Sequence, residues 1–295
     1  MARRRLHVLC VHGIGGARPG FSDGLRVRVR RLLARDPRAR EWGARHPDVD
    51  LLDWSEYVWS AIGEERELGL LQALYPDLAE DRPPRLLLWE LIEGILGVGR
   101  MGETRRSLIK QLGDILVYLS PTDGERIRAG LASAITAIRD RCDREEPGVA
   151  SYVTLIAYSL GAVIAFDVAY RFAQTGEMRE HSEGLELGSL VTLGAPIALF
   201  SLLRGPAYDH YRDRPVRTRP GGRWVNCLDP QDLVAWPIRP LYPELPGLED
   251  RPVRTGNLVS AHSGYWHSRD VARIVAGCLS ADPGMSAGAA PESAT

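Results

Sequence analysis

The chain has 295 residues, 44% hydrophobic and 25% charged, with a formal net charge of −1. That length accommodates one large α/β domain, or a core plus a small insertion, and the composition is that of a soluble globular protein. The charge balance gives no general attraction to nucleic acid or to an anionic membrane, and the basic charge is almost all arginine, Lys110 being the single lysine. The four cysteines, Cys10, Cys142, Cys227 and Cys278, are spread out with no CxxC pair, which argues against a metal or disulfide framework. Arg3, Arg4 and Arg5 precede an apolar run that ends at Val11 and is interrupted by His7. That run is too short for a secretory signal, so a cytoplasmic location is the expectation.

In chain order, residues 6–11 form an apolar β-rich run that enters His12-Gly-Ile-Gly-Gly16. A basic amphipathic helix is expected over 22–35 and a second strand over 49–54. Residues 58–120 carry helical periodicity and no convincing strand. They include Arg85-Leu-Leu-Leu-Trp-Glu-Leu-Ile-Glu-Gly-Ile-Leu-Gly-Val98, which Glu90 and Glu93 make too short to span a bilayer, where about 20 apolar residues are needed. This segment reads either as a buried helix of an enlarged domain or as a cap whose Leu91 and Ile95 line a substrate pocket. An interfacial membrane helix is a third reading. A strandless connection of that length is usually functional. Gly97-Val-Gly-Arg-Met-Gly102 matches G-x-G-x-x-G, but the strand that a dinucleotide site needs before the glycines is missing.

A helix over 126–140 leads to the apolar strand 152–158, which stops at Ser159, where a helical pattern begins at Leu160. Another strand, 186–193, ends at Gly194-Ala-Pro196. Residues 201–223 are rich in Arg, Pro and Gly and read as an exposed loop. The strand at 224–228 opens into Asp229-Pro-Gln-Asp232, and Ser260-Ala-His-Ser-Gly-Tyr-Trp-His267 precedes a last helix over 270–279. Residues 280–295 have the composition of a disordered tail.

The junction Ala157-Tyr-Ser-Leu-Gly161 has the layout of a nucleophile elbow. A sharp strand-to-helix turn lifts the serine oxygen above the sheet and brings backbones close, so the flanking Ala157 and Gly161 must be small. The helix start behind Ser159 favours developing negative charge. The bland alternative is a serine that only caps a helix. The glycines of the first loop, Gly13, Gly15 and Gly16, give its N–H groups freedom to face an oxyanion. The chain order is glycine loop, serine, aspartate, histidine.

On HGIGG at 12–16, AYSLG at 157–161, TLGAPI at 192–197, DPQDLV at 229–234 and AHSGYW at 261–266, the chain resembles the α/β-hydrolase superfamily, in particular its lipase- and esterase-like members. Ala157 departs from the family's usual glycine while still meeting the steric need. The resemblance implies a mostly parallel central sheet flanked by helices. Residues 1–57 and 121–279 would be the core and 58–120 a helical insertion or possible cap. It further implies Ser159 as nucleophile, and oxyanion donors at the backbone N–H groups of Leu160 and Ile14, with His12 supporting the loop. Asp232 matches the family's D-x-V position and is favoured as the acid over Asp229, which stands before Pro230 in a turn.

His262 is favoured as the base over His267, which immediately precedes Ser268 at the positive end of the last helix. His181 and His210 read as surface or packing residues, and Tyr158 as a pocket candidate. The expected activity is cleavage of a carboxylic ester with an apolar moiety, with no metal or organic cofactor. The small-molecule or lipid-like ester is the partner, and no signal of nucleic-acid binding, of a transmembrane segment or of oligomeric state is legible. An acyltransferase and an inactive binding protein of the same fold are the alternatives.

Overall fold

A computed structural model describes residues 5–62, 113–145, 147, 151–175, 185–204, 218, 222–258 and 260–281. Six strands form one sheet: β1 (Leu6–Val11), β2 (Leu52–Tyr57), β3 (Ser151–Tyr158), β4 (Leu185–Leu193), β5 (Trp224–Leu228) and β6 (Leu248–Pro252). Their order is β2-β1-β3-β4-β5-β6 and every pairing is parallel. The helices are α1 (Asp23–Leu33), α2 (Pro37–Arg45), α3 (Pro121–Glu145), α4 (Leu160–Thr175), α5 (Ile197–Arg204) and α6 (Arg269–Ser280). The α/β class and parallel sheet with flanking helices are those expected from the sequence.

β1 is buried along its whole length, as a central strand covered on both faces must be. Its alternate residues divide between the two faces. Leu6, Val8 and Cys10 join a cluster with Leu25, Val29 and Leu33 of α1 and Val271, Val275 and Leu279 of α6. In each of these helices the three residues are spaced four apart, one face of an α-helix. On the other face lies α4, whose residues Leu160–Ala169 are all buried, and whose Phe166 ring lies 5.6 Å from that of Trp224. Apart from the buried Asp167, that stretch is apolar or small on every side, as in a helix that packs inside.

Three elements come in addition to those expected: α2, α5 and β6. α2 starts at Asp36-Pro37, where the Asp36 carboxylate accepts from the N–H groups of Arg38 (2.8 Å) and Ala39 (3.2 Å). β6 is a charged edge strand, Leu-Glu-Asp-Arg-Pro. Other boundaries move by a few residues, β2 running from Leu52 to Tyr57, for example. α5 occupies the start of the stretch expected as a loop from residue 201; residues 205–217 and the expected tail beyond 281 lie outside the described residues.

The chain divides into two units, one of Met1–Gly13, Pro19–Tyr57 and Leu131–Thr295, the other of Ile14–Arg18 and Val58–Gly130. Within the second unit, the Gly15 N–H donates to Asp114 Oδ2 (2.5 Å), the Ser60 hydroxyl to the Ala17 carbonyl (3.2 Å), and the Arg128 guanidinium lies 5.5 Å from the centre of the Tyr118 ring. Leu91, Ile95 and the G-x-G-x-x-G stretch lie outside the described residues. No helix among the described residues is long and apolar enough to cross a membrane.

Candidate active site

In an all-parallel sheet the strands end on one edge, and ligands gather where the strand order reverses. Here the chain leaves β1 toward β2 on one side, whereas β3 lies on the other, so the crevice is bounded by the ends of β1 and β3. Those ends carry His12 and Ser159.

Ser159 has φ 53°, the only positive φ of a non-glycine among the described residues. Such a conformation is strained for an L-residue and persists only where the surroundings impose it. The Ser159 N–H donates to the Leu193 carbonyl of β4 (2.9 Å) and its carbonyl accepts from Ala162 N–H (2.9 Å), which holds both sides of the turn. A β-carbon at Gly161 would lie 2.2 Å from the His12 carbonyl oxygen, and one at Gly13 would lie 2.7 Å from Ser159 Cβ. The glycines at 13 and 161 therefore permit the approach of the first loop to the serine turn. Ala157 is fully buried in β3 between Val11 and Thr192.

Behind the serine, Leu160 is the first residue of α4, and its N–H has no acceptor within the helix. The positive end of α4 at this point favours negative charge beside the serine turn.

Three residues distant in sequence meet here. His262 Nε2 is 2.9 Å from Ser159 Oγ, and His262 Nδ1 is 2.8 Å from Asp232 Oδ2. A carboxylate only accepts, so Nδ1 carries the ring proton and Nε2 receives the serine hydroxyl's hydrogen bond. The Asp232 side chain is fully buried while His262 keeps 22% of its surface exposed. Burial alone would raise the Asp232 carboxyl. Hydrogen bonds from His262, from the Val234 N–H and from the Tyr265 hydroxyl outweigh it and hold the group below the usual carboxylate range.

Asp229 faces a different way. Its carboxylate accepts from the N–H groups of Gln231 (2.9 Å) and Thr255 (2.6 Å) and from the Thr255 hydroxyl (2.8 Å), so it ties two loops together. His267 is exposed and precedes Ser268, whose hydroxyl caps α6 by accepting from Val271 N–H (3.4 Å). The structure thus brings together Ser159, His262 and Asp232, and leaves Asp229 and His267 out of the chain of contacts. His181 and His210 lie outside the described residues.

His12 is buried, its Nδ1 donating to the Gly13 carbonyl at 2.6 Å. Burial pushes its pKa down to about 4, so the ring is neutral and braces the loop. Ile14, half-buried, opens the second unit, followed by Gly15 with φ 91° and the exposed Gly16.

Three supporting residues, Tyr265, Asn226 and Glu56, were not singled out from the sequence, and a fourth, Tyr158, was read there as a pocket candidate. Tyr265 donates to Asp232 Oδ2 (2.8 Å) and accepts from Asp229 N–H (2.9 Å), so one hydroxyl sets the spacing of both aspartates. Asn226, fully buried in β5, donates to the Trp236 carbonyl (2.9 Å) and to Asp250 of β6 (2.8 Å) and accepts from Thr192 of β4 (2.9 Å). A polar residue between Val225 and Cys227 in an otherwise buried strand was its one visible signal. Glu56 at the end of β2 accepts from the N–H groups of Gly20 (2.6 Å) and Ser22 (2.8 Å), anchoring the loop before α1. The Tyr158 hydroxyl donates to the His262 carbonyl at 2.6 Å and its ring centre is 5.2 Å from that of the imidazole, so this side chain buttresses the histidine loop.

Among the described residues no group of three or more His, Cys, Asp or Glu side chains is arranged to hold a metal ion.

No family model matches the chain, and no solved structure matches it. A protein of Schizosaccharomyces pombe named "Probable phospholipase C20G8.02, mitochondrial" is 26% identical over 162 residues. The match takes in 55% of this chain but only 20% of that relative, so the chain spans about a fifth of the relative's length. The chain is thus distantly similar, over about half its length, to a protein that bears a lipase-type hydrolase name.

Proposed function

We propose that the protein is a serine hydrolase that cleaves a carboxylic ester with an apolar moiety through an acyl-enzyme. The observation that carries this reading is the hydrogen-bonded chain from Ser159 Oγ through the His262 ring to Asp232, begun by a serine held at φ 53°. Ser159 Oγ attacks the ester carbonyl carbon while His262 Nε2 takes its proton. The oxyanion of the tetrahedral intermediate accepts from the backbone N–H of Leu160 and, by the family resemblance, from that of Ile14. The intermediate collapses as the imidazolium gives its proton to the departing alkoxide oxygen, leaving the acyl group on Ser159. Water then attacks the acyl carbon, again losing a proton to His262, and the freed serine recovers that proton as the acid departs. Asp232, ionised and buried, holds the ring in the Nδ1–H tautomer and stabilises each transient imidazolium.

An apolar substrate is supported by two exposed apolar residues on the acid loop, Leu233 (76% exposed) and Trp236 (44%), and by the name of the distant relative. Burying a substrate methylene against such surface is worth roughly 0.8 kcal/mol, close to fourfold in kcat/KM.

The test combines a fluorophosphonate probe with p-nitrophenyl esters of graded chain length. Stoichiometric labelling that disappears in Ser159→Ala, with hydrolysis rising along the series, is the expected result. An unlabelled, folded wild-type protein would mean an inactive binding protein of this fold. Acyl transfer to added alcohols in preference to water would shift the reading to an acyltransferase.

A further inference from the structure

Behind the loop that carries His262, the start of α6 and the segment after β6 enclose an open cleft of about 760 Å³, lined by Arg254, His267, Ser268, Arg269, Asp270 and Arg273 among others. Three arginines are among the residues that line it. Arginine keeps its charge at any pH a folded protein meets, so the cleft carries fixed positive charge. The carboxylate present, Asp270, is engaged: Oδ1 pairs with Arg273 at 2.7 Å and Oδ2 accepts from the Arg254 backbone N–H at 3.3 Å. Among the described residues, the side chains of Arg254 and Arg269 have no ion-pair or hydrogen-bond partner.

The frame that holds these arginines is fixed. The Ser268 hydroxyl donates to the Arg254 carbonyl (3.0 Å) while capping α6, so one hydroxyl joins the two arginine-bearing segments. Asp270 makes the second tie through the Arg254 N–H. The site therefore combines two arginines without an ion-pair partner among the described residues, a third paired with Asp270, and the N-terminal end of a 12-residue helix.

We propose that this cleft binds a phosphate group. Planar guanidinium forks match phosphate oxygens two at a time, and a phosphate has oxygens enough to meet two forks at once. The phosphate belongs either to a free phosphate ester or to a lipid headgroup at a bilayer surface, the same chemistry from two sources. The site is separate from Ser159 and stands whether or not the ester reading holds.

The experiment measures binding of inorganic phosphate by titration calorimetry at low ionic strength. It also measures co-sedimentation with phosphatidylcholine vesicles with and without phosphatidic acid. Wild type is compared with Arg254→Gln/Arg269→Gln and with Arg254→Lys/Arg269→Lys, all exposed positions, after circular dichroism confirms the fold. Loss of a charged, forked contact predicts roughly tenfold or more weaker binding in the Gln variant, with the Lys variant in between. Binding of inorganic phosphate that follows this ranking supports the site and a free phosphate source. Binding confined to phosphatidic acid vesicles, with the same ranking, supports it with a headgroup as the source. Equal behaviour of wild type and the Gln variant toward both probes, or no binding of either by wild type, overturns it.

Discussion

The two ends of β1 present the same order of atoms in opposite settings. Beyond its C-terminal end, Ser159 Oγ, His262 Nε2, His262 Nδ1 and Asp232 Oδ2 are linked at 2.9 and 2.8 Å. At its N-terminal end, Cys142 Sγ, His7 Nε2, His7 Nδ1 and Asp53 Oδ2 are linked at 3.2 and 2.9 Å. Both are a nucleophile type, an imidazole and a carboxylate in line. The surroundings differ. Cys142 lies in the last turns of α3, whose end offers carbonyls, and His7 is only 4% exposed. Ser159 stands on a strained turn before a helix N-terminus, with a partly exposed histidine beside it. Asp53 is further bound by Arg141 at 2.9 Å, so its charge is shared within a part-buried ionic tie between β1, β2 and α3. The two triplets share residue types and hydrogen-bond order and differ in the backbone that presents them, and the proposed activity assigns reaction to the one at the serine turn.

The sharpest break in the comparison is in turnover. Ser159→Ala should cost on the order of 10⁶-fold in kcat, as removal of the serine does in a comparable triad, whereas Cys142→Ala should stay within a few-fold of wild type. Steady-state kinetics on the best p-nitrophenyl ester reads both. Equal losses would place the chemistry, or a shared folding defect, elsewhere than argued.

A smaller effect separates the two aspartates. Asp232→Asn should lower kcat by about 10⁴-fold, because an amide no longer holds the His262 tautomer. Asp229→Asn should leave kcat within about tenfold and instead lower stability by roughly 1–3 kcal/mol through weakened ties to Gln231 and Thr255. Urea unfolding alongside kinetics tests this, and the reverse ranking would exchange their roles.

The smallest effect sharpens the contrast through pH. Burial would lower the His7 pKa, but the bonds to Asp53 and Cys142 override it and raise the value from 6.5 to about 9. His7 then contributes stability that is complete below about pH 6.5 and lost as pH rises through 9. His12, lowered from 6.5 to about 4 by burial, contributes stability present above 6.5 and lost as pH falls toward 4. Each displacement corresponds to up to ~3 kcal/mol, and the two limbs oppose each other. Chemical denaturation from pH 4 to 9.5 should show a flattened alkaline limb in His7→Asn and a flattened acid limb in His12→Asn. Unchanged limbs in both variants would contradict the assignment of charged His7 and neutral His12.

How much of this was legible depended on how local the cause was. β1 and the strand before Ser159 announced themselves as apolar runs, because a strand covered on both faces has no polar side to show. Ser159 was readable because its turn needs small neighbours at 157 and 161, a purely local steric demand. α2 was equally local, an Asp-Pro start at 36–37, and was legible but passed over. β6 was not legible: its Glu249, Asp250 and Arg251 suit an edge strand only because Asn226 and the N–H groups of Ile238 and Arg239 meet the Asp250 carboxylate.

By itself, then, the sequence determined the α/β class, the central strands, the serine turn and the pair of loops able to supply an acid and a base. These follow from hydrophobic periodicity and from steric limits within a few residues. Only the tertiary structure decided that Asp232 and not Asp229 meets His262, that Tyr265 spaces the two, and that Tyr158 holds the histidine loop. The choice between carboxylates three residues apart rests on donors brought from positions 255, 262 and 265, and hydrogen bonds between distant segments exist only once the sheet has set their loops along one edge.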